Sequence, residues 1–515
     1  MLRQVAPKDA PLHGKSLART PVDAGPLIVT AGFLVFAFLV VRTAWLCDDA
    51  FITFRTLDNL VNGYGLRWNV AERVQSFTHP LWLMLLAGFY AVTRDAYFTP
   101  LAISMCLAFG AVWLFLTRIA SSLATMLVGL ATFVFSRAFV EYSTSGLENP
   151  LTTFLLAAFL AVYWAGSTRR SMWLWVVAGL LMLNRLDVGL LVLPMLGADA
   201  WRTPWRTTVR NAAVGLSPLL AWEIFSIIYY GFPMPNTAYA KLQTGVATRA
   251  LVGQGLLYFV DSIAQDPVTL LMMATAALVV LREDARTSWP VVAGIGLYLA
   301  YIVRAGGDFM SGRFLVAPLF CAVAAAAHLR WASTPAGVGW VVTALALLGW
   351  TATTHPPIAS GTNSYPDGET FGVSGVADER SFDYPNTGLL HWSREHPLPA
   401  GVWVKGGLAV RGTSSVVVRA NIGLYGYFAG PSVHIVDAYG LGDPLIARLP
   451  ACVPWRIGHF ERRVPEGYLE SIRTGTNRIA DLQVAALYGQ LKLITQGPIW
   501  SHQRWRAIRR LNVGW

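Results

Sequence analysis

Two adjacent carboxylates, Asp48-Asp49, stand where a long apolar run, 26–46, ends. Acids at the mouth of a membrane-length run are costly unless they face water, a cation or a reaction. One of the pair can take a proton from an acceptor hydroxyl while the other orients it or holds a cation such as Mg²⁺ or Mn²⁺. The plain alternative is a solvated helix end. The motif Phe51-Ile52-Thr53-Phe54-Arg55 and the turn Gly63-Tyr64-Gly65-Leu66-Arg67-Trp68-Asn69 follow at once, and this favours a built site.

The other candidates are groups suited to a phosphate or a sugar. Arg55 and Arg67 can clamp phosphate oxygens, or snorkel to headgroups as single interfacial arginines do. His79, in Thr78-His79-Pro80, either contacts a phosphate or caps the helix that Pro80 opens. Glu148 adjoins the next apolar run and is the pocket candidate on its loop, ahead of Glu141; a water-facing acid is the alternative. Arg185 and Asp187 break an otherwise continuous apolar stretch, and ionisable groups at that depth mark a pathway or a site unless they only pin a helix break. Asn236, Tyr239 and Lys241 follow Pro233 and Pro235 in a stiff entry to a surface segment. Arg304, Asp308 and Arg313 flank Gly306-Gly307, where backbone can approach a ligand closely. Basic groups around one acid suit a phosphate ester, and an ion-paired loop is the alternative.

These groups need a membrane scaffold to bring them together. Of 515 residues 54% are hydrophobic and 13% charged, against about 25% charged in soluble domains, so the chain is an integral membrane protein. Its net charge of +11 lies largely in short loops, where Lys and Arg set topology. Candidate spans are 26–46, 98–117, 119–137, 150–166, 172–186, 188–200, 208–229, 267–282, 288–303, 314–330 and 336–353. The run 80–93 is ambiguous. If it lies along the surface, Arg118, Arg169, Arg170, Arg202, Arg206, Arg210, Arg282, Arg286 and Arg330 all fall on the cytoplasmic side. Eleven spans then follow, with residues 1–25 cytoplasmic and Asp48-Asp49 on the far face with the other charged motifs.

The expected organisation is a cytoplasmic tail (1–25), a transmembrane catalytic domain (26–354, first outer loop 47–97) and an extracytoplasmic mixed α/β domain (355–515). Within the last, 401–404, 416–418 and 433–436 read as strands and 478–494 as a helix. Cys47, Cys106, Cys321 and Cys452 show no CxxC spacing. Cys106 and Cys321 read as packing residues, and a Cys47–Cys452 bridge is open. No cleavable signal, Rossmann fingerprint, P-loop or internal repeat is apparent.

Taken together, several motifs resemble one family. They are Asp48-Asp49-Ala50-Phe51-Ile52-x-Phe-Arg55, Gly63-x-Gly65-Leu66-x-Trp-Asn69, Thr78-x-Pro80-Leu81-Trp82, Gly146-Leu-Glu148-Asn-Pro150, Pro235-Asn-Thr-Ala-Tyr-Ala-Lys241 and Gly306-Gly-Asp308-Phe-Met-x-Gly-Arg313. The tail adds Val436-Asp437-Ala-Tyr-Gly-Leu-Gly-Asp443-Pro444 and Gly458-His459-Phe-Glu461-Arg462. The set resembles the GT-C membrane glycosyltransferases, in particular the mycobacterial arabinofuranosyltransferase B type, over most of 40–475. The resemblance implies a multi-span helical fold and a polyprenyl-phosphate donor, namely decaprenyl-phosphoryl arabinofuranose. It also implies transfer on the non-cytoplasmic face of the inner membrane to a glycan or protein acceptor, with Asp48 or Asp49 as catalytic carboxylate. The chain is shorter than mycobacterial members, which leaves the acceptor open. Competing readings are a GT-C transferase for another lipid-phosphate sugar and a lipid-linked-sugar flippase. A flippase would place ionisable groups at mid-membrane in both halves.

Overall fold

The computed structural model describes residues 24–165, 169–329, 334–360 and 374–514. Nearly all of the expected N-terminal tail, Arg330 and the side chain of Arg286 lie outside them. The chain is a multi-pass, largely helical membrane protein. Its apolar half begins with α1 (Ala24–Arg42), then α2 (Asp48–Val61), α3 (Pro80–Thr93), α4 (Phe98–Leu114, prolonged by a π-helical turn to Ile119), α5 (Leu123–Phe135), α6 (Arg137–Glu141) and α7 (Asn149–Tyr163). It continues through α8 (Arg170–Asn184), α9 (Gly189–Arg202), α10 (Trp205–Tyr229), α11 (Asn236–Leu242), α12 (Thr248–Gln265), α13 (Pro267–Ala305), α14 (Val316–His328) and α15 (Pro335–Thr351).

Among the described residues, length and composition qualify four helices as spans, or five if the bent α12–α13 pair counts as one. α3, α5, α7, α8, α14 and α15 are apolar but shorter. At 14 residues, α3 is about 21 Å long, short of the ~30 Å hydrocarbon core. The run 267–303, read above as two spans, is one helical element, yet it is not straight. Gly255 of α12 sits so close to Val303 that a Cβ there would be 2.7 Å from the Val303 Cα. A straight helix from 267 to 303 would carry Val303 about 54 Å away, whereas α12 reaches back only ~17 Å from α13 to Gly255. α13 therefore doubles back, its first arm leaving α12 at 107°.

Small residues let the helices touch. A Cβ on Gly179 of α8 would lie 2.0 Å from the Gly215 carbonyl oxygen of α10, the close backbone approach that packing in lipid uses. At the centre, Phe133 stacks on Phe139 at 4.3 Å and on Phe320 at 5.7 Å. Large apolar side chains such as Leu220 and Ile224 of α10 remain exposed on the outer surface of the bundle.

After α15 the elements are short: α16 (Glu379–Thr387), α17 (Val402–Val410), β1 (Val416–Arg419), α18 (Gly423–Ala429), β2 (His434–Asp437), α19 (Tyr468–Thr474), α20 (Leu482–Gln496) and α21 (His502–Val513). β1 and β2 pair in parallel, Val416 opposite His434 and Arg419 opposite Asp437. A parallel pair requires a crossover, and here the crossover carries α18. The expected strand at 401–404 is instead the start of α17. Its Gly407 packs so tightly on α18 that a Cβ would meet the Tyr425 carbonyl oxygen at 2.5 Å, a contact that the helix makes and a flat strand would lose. All four cysteines are free, so the Cys47–Cys452 bridge is absent. Cys106, expected in the packing, is exposed on α4, while Cys321 is buried.

Candidate active site

The site begins at the first turn of α2. Three bonds hold the chain before and beside that turn against the 141–146 loop. Trp45 Nε1 donates to the Glu141 carbonyl (2.9 Å), the Cys47 amide to the Ser145 carbonyl (3.0 Å), and Trp82 Nε1 to the Gly146 carbonyl (3.0 Å). Gly146, at φ +81°, leaves no room for a side chain, since a Cβ would lie 2.8 Å from both Ala50 and Leu46. Asp48 and Asp49 are thus fixed by backbone contacts.

The two carboxylates are used differently. Asp48 accepts the amides of Leu424 (2.7 Å) and Gly423 (3.1 Å), the opening residues of α18, while its own amide donates to Asp383 (3.0 Å). Among the described residues Asp49 accepts no hydrogen bond. It faces two cavities at once. Burial pushes the Asp48 carboxyl up to about 7 despite the two amides. Burial raises Asp49 as well, and Lys241 and Arg313 work against that rise.

The first cavity, about 210 Å³, holds Asp49 opposite Arg185, Lys241 and Arg313, with His79 on its wall. Glu148 lies behind and arranges these cations. Its carboxylate oxygens are 3.0 Å from Arg185, 3.0 Å from Arg313 and 3.1 Å from His79 Nδ1. Burial opposes ionisation of Glu148, but Arg313, His79 and Arg185 hold its carboxyl well below the usual range. Asp308 takes a second Arg313 nitrogen at 3.3 Å, and Asp187 takes Arg185 Nε at 3.0 Å. His79 Nε2 meets Thr53 at 2.8 Å. It stands at the N-cap of α3 without a side-chain cap bond, so the capping reading of this residue is set aside. Lys241 makes no described hydrogen bond, and its ammonium lies 5.6 Å from the Phe309 ring.

An apolar groove of about 300 Å³ adjoins this cavity, shares Thr78, Asp187, Ala238, Leu242 and Tyr301 with it, and is lined further by Met182, Leu219 and Trp222. A cationic pocket opening into an apolar groove suits a phosphate on a long hydrocarbon chain.

The second cavity, about 270 Å³, lies across Asp49 and is different in kind. It carries Asp48, Glu379 and Asp383 with Asn421, Arg456, His459 and the rings of Phe382, Trp403 and Tyr439. Burial and the neighbouring Asp49 raise the Glu379 carboxyl to about 8. Burial and Glu379 raise Asp383 well above the carboxylate range. Acids and amides beside flat rings are the complement of a hydroxyl-rich ligand. Sequence reasoning missed Glu379, Asp383, Phe382, Trp403, Asn421 and Arg456. None sits in a patterned motif, and their only link to Asp49 is through space.

Other candidates stand elsewhere: Arg67 donates to the Tyr229 hydroxyl and the Val70 carbonyl, and Arg304 is exposed at the end of α13. Arg55 is buried and gives its guanidinium to the carbonyls of Trp68 (3.0 Å), Gly426 (2.6 Å) and Val433 (2.8 Å), stacked on the Trp68 ring. It ties α2 to the βαβ unit and lines neither cavity. Asn236 donates to the carbonyls of Gly440 (2.8 Å) and Asp443 (3.0 Å), and Tyr239 lies under the Arg448 guanidinium at 4.3 Å. Both dock α11 on the tail, and that docking sets Lys241. As to Mg²⁺ or Mn²⁺, Asp48 spends its oxygens on amides. Among the described residues no group of three or more His, Cys, Asp or Glu is arranged to hold a metal ion.

No protein-family model matches the chain. Two curated proteins, each called terminal beta-(1->2)-arabinofuranosyltransferase, are similar to it. The one from Mycobacterium tuberculosis is 26% identical, covering 85% of this chain and 84% of its own. The one from Corynebacterium glutamicum is 27% identical, covering 84% and 75%. Among solved structures, ArnT from Cupriavidus metallidurans bound to undecaprenyl phosphate superposes with a TM-score of 0.50 at 11% identity, over 82% of this chain and 87% of that one. That likeness speaks for the GT-C fold.

Proposed function

We propose that this distant homologue of the terminal beta-(1->2)-arabinofuranosyltransferases, built on an ArnT-like GT-C fold, moves D-arabinofuranose from a polyprenyl-phosphate donor to a glycan acceptor on the non-cytoplasmic face. One observation carries the reading. Among the described residues Asp49 accepts no hydrogen bond, and it stands between a cation-lined cavity that opens into an apolar groove and a cavity of acids, an amide and rings.

In this reading the prenyl chain lies in the groove beside Leu219 and Trp222, and Lys241, Arg185 and Arg313 hold the donor phosphate. Guanidinium forks match phosphate oxygens, and the ammonium adds a mobile charge. The sugar lies over Asp49, and the acceptor hydroxyl arrives from the side of Trp403 and Asn421. The bond between C1 and the phosphate oxygen breaks, and its electron pair leaves on the polyprenyl phosphate, where the three cations stabilise it. Positive charge builds at C1 beside the Asp49 carboxylate, as in other glycosyl transfers. The acceptor oxygen bonds to C1, and its proton passes to Asp49. Glu148 and Asp308 act through the arginines that they hold.

The test is transfer from polyprenyl-phosphoryl arabinofuranose in reconstituted membranes. Asp49→Asn should lower the rate by roughly 100-fold or more, the usual worth of a general base. Asp48→Asn keeps a side chain that can accept the α18 amides and should lose much less. Equal, full activity in both variants would remove the pair from the reaction. Consumption of a different lipid-phosphate sugar in place of arabinofuranose would replace the donor assignment.

A further inference from the structure

The widest cavity among the best-formed ones, about 680 Å³, lies between α21 and the end of α10; Asp49 does not line it, and it has Pro233 in common with the groove of Leu219 and Trp222. Its apolar wall includes Ile227, Pro233 and Ile508, and its polar rim is His502, Arg506 and Arg509. α21 carries Arg504, Arg506, Arg509 and Arg510 and no acid. Among the described residues no carboxylate lies within ion-pair distance of Arg506, Arg509 or Arg510.

Arg504 differs from its neighbours. It is buried and donates to the carbonyls of Ile494 (2.8 Å), Ile499 (3.0 Å) and Tyr229 (3.0 Å). Asn512 donates to the Gly231 carbonyl at 2.9 Å. These bonds fix α21 against the point where α10, a membrane-length helix, ends at Tyr229. Trp500 stacks on Trp505 at 6.3 Å and is 73% exposed, and exposed tryptophans collect at bilayer interfaces. A pocket that is apolar towards the exposed side of a span and cationic at its rim matches a lipid with a negative headgroup.

We propose that this cavity binds an anionic phospholipid of the surrounding bilayer. Arg506 and Arg509 hold its phosphate, and its acyl chains run along Ile227 and Pro233 towards the exposed face of α10. Charge complementarity and continuity with that face commit the site to a bilayer lipid.

The experiment is native mass spectrometry of the full-length protein in neutral detergent, titrated with dioleoylphosphatidylglycerol or dioleoylphosphatidylcholine. Phosphatidylglycerol should bind in preference, and Arg506→Gln with Arg509→Gln should weaken it by roughly tenfold or more, given the usual contribution of basic residues at anionic membranes. A photoreactive phosphatidylglycerol on the unaltered protein should cross-link within 502–513, a readout independent of how the variant folds. Equal retention of both lipids, cross-links confined to other segments, or displacement of phosphatidylglycerol from 502–513 by undecaprenyl phosphate would each overturn the assignment. Asp49→Asn should bind phosphatidylglycerol as the unaltered protein does, so a failed transfer reading and a failed lipid site are told apart.

Discussion

Asp48 gives its carboxylate to two amides of α18, while Asp49 keeps its own for whatever enters the two cavities. A carboxyl raised by burial is a better base near neutrality than an ordinary one, but only once it has ionised. Transfer should therefore rise with pH and level at a higher pH than an ordinary carboxylate base would give. A donor kcat/KM profile between about pH 5 and 9 checks this. Stability should move the opposite way. Asp48 and Glu379 bind protons more tightly folded (about 7 and about 8) than at their ordinary values of 3.8 and 4.5. Their contribution is complete below the unfolded values, is lost progressively as pH rises from there, and is gone once pH has passed through about 7 and about 8. Glu148 is held low and titrates outside that window. The melting temperature in detergent should thus fall as pH climbs from about 4 to about 8 and level above that. A flat or rising curve would refute the burial argument.

Among the elements, α18 decides the most. It is short, yet it caps one acid, packs on Trp68 and Arg55 through Gly426, and sits in the crossover that makes β1 and β2 parallel. The contact is tightest at Gly423, where a Cβ would fall 1.8 Å from the Asp48 carbonyl oxygen. Gly423→Ala must push α18 off α2, at a cost of about 1–3 kcal/mol. It should lower both the melting temperature and transfer with Asp48 and Asp49 unchanged. Gly489→Ala, on α20 where a Cβ meets nothing within 4 Å, should be neutral or slightly stabilising through helix propensity. If the two alanine variants behave alike, the α18–α2 contact does not hold the site.

At the scale of the whole molecule, the catalytic reading needs the first loop and the tail on one side of the membrane and the α9–α10 turn on the other. Tyr64, Leu482 and Trp201 are exposed markers of these regions, at 45%, 84% and 92%. In a background without native cysteines, Tyr64→Cys and Leu482→Cys should react with an impermeant maleimide on intact cells. Trp201→Cys should react only after permeabilisation. Labelling of Tyr64→Cys and Trp201→Cys from the same side would undo the arrangement.

Much of this was legible in the chain because its signals are local. Apolar runs punctuated by arginines declare membrane helices, and Asp48-Asp49, His79, Glu148, Arg185, Lys241 and Arg313 announce themselves as charges at the ends of such runs. The groups that neither pattern nor spacing can rank are those whose role depends on a partner hundreds of positions away. Arg55 looked like a phosphate clamp and is instead consumed by Gly426 and Val433. Nothing in the sequence singles out Glu379 and Asp383, and the fold sets them beside Asp48. A residue type states which bonds a side chain is able to make. Only the packed chain settles which of those bonds are already made, and a carboxylate that faces two cavities at once is a property of the packing alone.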